Sequence, residues 1–65
     1  MSERTGVLVL RLWIEPSARA GEALRARITA EIDLGSGSRV TTAAVGVEQI
    51  VDVVRKWVEE FAARA

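Results

Sequence analysis

The feature that most constrains this chain is a strict two-residue alternation, sustained over two long runs. Between Ala23 and Leu34 every even position is apolar: Leu24, Ala26, Ile28, Ala30, Ile32 and Leu34. Arg25, Arg27, Thr29, Glu31 and Asp33 occupy the odd positions between them. The Ala, Leu, Arg and Glu content favours a helix on intrinsic propensity. Wound as a helix, though, these apolar residues would scatter around the whole circumference. Extended, they form one clean face, so the period selects a strand over 23–34. Val7 to Glu15 alternates in the same way, with Leu8, Leu10, Leu12 and Ile14 on one side and Val7, Val9, Arg11, Trp13 and Glu15 on the other. Gly6 opens this first strand (7–15) and Pro16 ends it, since proline cannot donate to a ladder.

Pro16 to Glu22 has turn and loop chemistry and suits a hairpin connection. Gly35-Ser36-Gly37-Ser38 is the sharpest turn, because glycine supplies the positive φ that tight hairpins require. Neither a following Lys nor an adjoining helix makes it a phosphate-binding loop. Arg39 to Val45 reads as a third, shorter strand. Its preferred register places Val40, Thr42 and Ala44 on the even-numbered face, because the other register would bury Arg39 unpaired.

From Val47 to Arg64 the period changes to that of a helix. Val47, Ile50, Val51, Val54, Val58, Phe61 and Ala62 recur at three- and four-residue spacing, the mark of a single apolar stripe. Glu48 in the first turn and Arg64 near the end complement the helix dipole. Asp52–Lys56 and Lys56–Glu60 stand four residues apart and can pair across a turn. The start lacks a Ser, Thr, Asp or Asn cap, and five valines make the segment a poor helix in isolation. It needs the sheet beneath it.

Strand, strand, strand, helix with short connections gives an α+β fold over 1–65, a three-stranded antiparallel meander with one C-terminal helix packed on one face. The face to be covered carries Leu8, Leu10, Leu12, Ile14, Leu24, Ile28 and Ile32, set against Ile50, Val54, Val58 and Phe61. Keeping the apolar sets together pairs odd residues of the first two strands with one another. One such register sets Arg11 opposite Arg27, a like-charge pair. A shift of two sets Glu15 opposite Arg25, Trp13 opposite Arg27 and Arg11 opposite Thr29, and is preferred.

Sixty-five residues make one marginal domain that buries only about 60% of its unfolded surface. Such domains draw extra stability from disulfides, metals or association. The chain has no Cys and no His, so no disulfide forms, and no metal or other cofactor is expected. Association is the remaining remedy. Nine basic and nine acidic residues cancel, unlike the positive excess typical of nucleic-acid binders. No run approaches the roughly 20 apolar residues of a membrane span, and no signal peptide is apparent. A cytoplasmic protein without a membrane partner is expected. No nucleophile–base pair accompanies the carboxylates Glu15, Glu31 and Asp33, so no enzyme activity and no small-molecule substrate are expected.

With one helix, the odd-numbered sheet face has no cover. Most of it is polar, as a solvated antiparallel face should be. Val7, Val9 and Trp13 form an apolar patch there, beside Arg11, Arg25 and Arg27. Exposed apolar patches mark interfaces, and Trp and Arg dominate interface hot spots. These six residues are the candidate partner-binding surface, for a second copy or another protein. The alternative is a nucleic-acid-binding module in which bases stack on Trp13 among the arginines. Val53 and Trp57, at the border of the helix stripe, are candidates for a second contact with a partner helix.

Two resemblances add to this reading. The three-strands-then-helix order, with Thr42-Ala43-Ala44-Val45-Gly46-Val47-Glu48-Gln49-Ile50-Val51 at the strand-to-helix junction, resembles small antitoxins of the HicB type. That likeness implies a truncated RNase-H-like sheet that binds a toxin. The Arg11-Leu12-Trp13-Ile14-Glu15-Pro16 phrase is similar to one near the start of short uncharacterised bacterial proteins, which implies no activity.

Overall fold

A computed structural model describes residues 5–32 and 39–63. Three strands, β1 (Gly6–Ile14), β2 (Leu24–Ile32) and β3 (Arg39–Val45), precede a single helix, α1 (Val47–Ala63). They form one antiparallel sheet in the order β1-β2-β3. This is the β-β-β-α fold that the change of period implies. The Gly35–Ser38 turn, the end of the second run at Asp33 and Leu34, Arg64 and the first four residues lie outside the described residues.

The register of β1 on β2 differs from the preferred one. Arg11 stands opposite Arg27, and Trp13 opposite Arg25. The Glu15 amide donates to the Ala23 carbonyl at 2.7 Å. Ladder alternation then makes every odd residue of β1 a hydrogen-bonded partner of β2. In such pairs the side chains stand farther apart than in the intervening ones. Arg11 and Arg27 are also both exposed, which leaves their repulsion weak. The loop decides instead. It is braced by Ala18 N–H to Glu15 O at 3.2 Å and Glu22 N–H to Arg19 O at 2.9 Å. Arg25 Nε adds a bond to Glu22 O at 2.9 Å. On the other side, β3 adopts the expected register, with Ala44 opposite Ala26, Thr42 opposite Ile28 and Val40 opposite Ala30.

Between β3 and α1 the chain turns at Gly46, whose φ is +83°, a conformation that glycine adopts at little cost. Gly46 N–H donates to Leu24 O at 2.8 Å, and Gly46 O accepts from Ile50 N–H at 3.1 Å. No N-cap side chain serves the first turn, but Gln49 reaches back from it to the end of β3. Gln49 Oε1 accepts the Val45 N–H at 2.7 Å, a capping-box contact displaced by one residue. Farther along, Asp52 pairs with Lys56 at 3.0 Å and Arg55 at 3.5 Å.

The core is narrower than the apolar face. Ala26, Ile28, Ala44 and Ile50 are buried, with Leu8, Leu24, Val53 and Val54 packed around them. From the end of β3, α1 runs diagonally back across the sheet. Its last turns meet the beginning of β1, where Phe61 and Trp57 lie over Gly6. Their rings stack with centroids 5.7 Å apart and planes 22° from parallel. A single helix is about 10 Å across, whereas three strands at about 4.8 Å spacing are wider. Two corners therefore stay open. Leu10, Leu12 and Ile14, expected beneath the helix, are 40%, 52% and 65% exposed, and Val40 at the opposite corner is exposed too. Val47, Val51 and Val58, read as part of the inward stripe, are also exposed.

Candidate functional site

Among the described residues, two surfaces are left without cover. The first is the odd-numbered face of the sheet, where the sequence places its candidate residues. Val7, Val9, Arg11 and Arg27 are exposed there, while Trp13 and Arg25 are half-buried. The Arg11 guanidinium lies 5.5 Å from the centroid of the Trp13 ring, within cation–π range. Across the sheet the rows read Trp13–Arg25–Val45, Arg11–Arg27–Ala43, Val9–Thr29–Thr41 and Val7–Glu31–Arg39. Thr29 and Thr41 approach through their hydroxyls at 3.4 Å. This face is a mosaic, with apolar residues gathered along β1 and a Glu31–Arg39 pair across the far end of the sheet.

The second surface is one that sequence reasoning missed. On the helix side, Leu10, Leu12 and Ile14 form an unbroken apolar row along β1. Val47, Val51 and Val58 fall within about 40° of one another around the helix, at 100° per residue. The helix runs antiparallel to β3 and winds right-handed, which turns that flank toward β1 rather than away from the sheet. Sheet row and helix flank thus line one apolar shelf. The sequence carried a signal for it, since the period marks four large residues on β1 for burial, more than one diagonal helix can reach.

Val53 and Trp57, read as a second contact stripe, are turned into the fold instead. Val53 packs on the core, and Trp57 stacks on Phe61 above Gly6. The absent side chain of Gly6 makes this approach feasible, because a Cβ there would lie 2.9 Å from Phe61 Cε2 and 3.1 Å from Trp57 Cη2.

A third feature is the free edge of β1. Odd residues direct their amide and carbonyl groups to β2, so Gly6, Leu8, Leu10, Leu12 and Ile14 direct theirs outward. Unpaired edge groups template pairing with another chain unless Pro, charged side chains, a bulge or a covering element blunts them. Gly6–Ile14 contains no Pro and one charged residue, Arg11, and its pairing with β2 is continuous. The other edge is better guarded, since the outward Val45 N–H of β3 is taken by Gln49.

Among the described residues no polar or charged side chain is buried, and no group of three or more acidic residues could hold a metal ion. No helix there is long and apolar enough to cross a membrane. What the surfaces offer is apolar area, backbone hydrogen-bonding groups and arginines, the materials of macromolecular recognition. Comparison of the chain with protein-family models, curated proteins and solved structures finds no match.

Proposed function

We propose that the chain is a non-enzymatic protein–protein interaction module that self-associates or docks on a protein partner through sheet surface its helix leaves uncovered. The observation that carries this reading is the row Leu10–Leu12–Ile14, exposed beside an unpaired strand edge. Large apolar side chains contiguous in this way are costly to leave in water, at about 25 cal/mol per Å². The Val7–Val9–Trp13 patch lies on the same strand, so both faces of β1 offer apolar contact. A nucleic-acid reading of Trp13 and its arginines draws less support. The net charge is zero, Trp13 is half-buried, and Arg11 already occupies a position against its ring.

Leu12→Glu and Trp13→Ala test the reading one face at a time, by sedimentation and by affinity capture under matched conditions. At least one should abolish self-association or capture of a specific protein while leaving the circular dichroism spectrum unchanged. Association indifferent to both would sink the proposal. So would salt-sensitive binding of oligonucleotides together with no protein contact.

A further inference from the structure

We infer that the partner of β1 is β1 of a second copy, paired antiparallel about a two-fold axis through Leu10, so that two sheets join into one of six strands. This rests on the interaction-module reading and names its occupant. The inference starts from hydrogen-bond direction. Only the even residues of β1 face outward, so an antiparallel copy must set even residue against even residue. Three registers keep the axis near the middle of the strand. An axis through Arg11 would bring two arginines face to face in a close pair, a like-charge contact. An axis through Val9 would leave the end of each strand unpaired. The axis through Leu10 pairs all nine residues, Gly6 with Ile14 of the partner and Leu8 with its Leu12.

That register also matches side chains on both faces. On the odd-numbered face Trp13 meets Val7 of the partner, and Arg11 meets its Val9. The apolar patch is then shared between copies instead of lying in solvent. On the helix side the two Leu10–Leu12 rows come together. Ile14, the most exposed of the row at 65%, arrives opposite Gly6, where the Phe61 and Trp57 rings already cover the backbone and offer its side chain an apolar flank. Because the axis stands perpendicular to the sheet, both helices lie on the same face. Five outward residues exchanging two bonds per pair supply up to about ten hydrogen bonds, the complement of a typical interface.

Two variants test the pairing. Leu10→Pro removes an outward N–H at the axis and none of the β1–β2 bonds, and proline is tolerated on a free edge. Light scattering of the wild type should give twice the 7.1 kDa chain mass. Leu10→Pro should weaken that dimer by at least about tenfold, from two lost bonds per dimer. Since the chain has no cysteine, single substitutions Val9→Cys, Leu10→Cys and Arg11→Cys report the register through disulfide formation. Cross-linking fastest at position 10 supports the axis, and a clear lead at 9 or 11 overturns it. A dimer indifferent to Leu10→Pro that also fails to cross-link at 10 overturns edge pairing but leaves the interaction reading intact. A wild-type monomer at every concentration that still captures a protein through Leu12 overturns the second copy alone. A monomer that captures nothing overturns both.

Discussion

Replacing Gly6 by alanine probes the contact that fixes where α1 ends. The new Cβ would sit 2.9 Å from Phe61 Cε2, 3.1 Å from Phe61 Cδ2 and 3.1 Å from Trp57 Cη2. Carbon atoms attract best at about 3.5–4.0 Å, so the stacked pair must retreat by roughly 0.5–1 Å. Backbone conformation is not the obstacle, because Gly6 is an extended strand residue that alanine can match. Overpacking of this kind costs about 1–3 kcal/mol. At roughly 0.05–0.15 kcal/mol per residue, the whole domain has only about 3–10 kcal/mol to lose. Each kcal/mol shifts the midpoint of a domain this small by roughly 4–8 °C, so a fall of about 5–20 °C is expected. Thermal and urea unfolding followed by circular dichroism measure it, at one fixed protomer concentration because association would raise apparent stability. Phe61→Leu in the same chain should restore part of the loss, giving a coupling of about 0.5–3 kcal/mol in a double-mutant cycle. A Gly6→Ala protein within about 0.5 kcal/mol of wild type, the range of an unremarked surface change, would refute the packing argument.

Three further substitutions separate the contributions to the fold. Gly46→Ala forces a side chain into positive φ at the β3–α1 junction and should cost about 1–2 kcal/mol, measured by urea titration. Ile28→Ala empties the most deeply buried large side chain, 2% exposed. Its expected cost of about 2–5 kcal/mol should leave little cooperative unfolding at 37 °C by calorimetry. Lys56→Ala removes an exposed partner of Asp52 and should change stability by no more than about 0.5 kcal/mol, an effect that vanishes in added salt.

The alternation in 7–15 and 23–34 and the helical spacing after Val47 made the elements and their order legible, because one face of each must leave water. What alternation does not encode is how far a cover extends. It marks Leu10, Leu12 and Ile14 as facing the helix side but says nothing of the diagonal that α1 takes across them. That diagonal follows from two local facts, the positive-φ turn at Gly46 and the approach to Gly6, and only the first was hinted at by the sequence. The register of β1 on β2 differs from the expected one for a similar reason. A like-charge pair between exposed arginines costs only a few tenths of a kcal/mol, and alternation carries no trace of the hydrogen bonds that close the Pro16–Glu22 loop. Trp57, at the border of the stripe by spacing, turns inward because Gly6 makes room for it. The odd-numbered patch on β1 was visible in advance, since period two assigns both faces of a strand at once.

The alternating direction of backbone bonds in β1 has a dynamic consequence. In a lone chain, the amides of Val7, Val9, Arg11 and Trp13 are held by β2, while those of Leu8, Leu10, Leu12 and Ile14 open onto water. Deuterium should therefore enter this strand as a comb, slow and fast at alternate residues, although all nine belong to one continuous ladder. Local opening that frayed the strand as a unit would blur the teeth. Anything that lays a chain along the edge would fill the gaps and bring the fast set down to the slow, so the exchange pattern of one strand records whether its outer side is occupied.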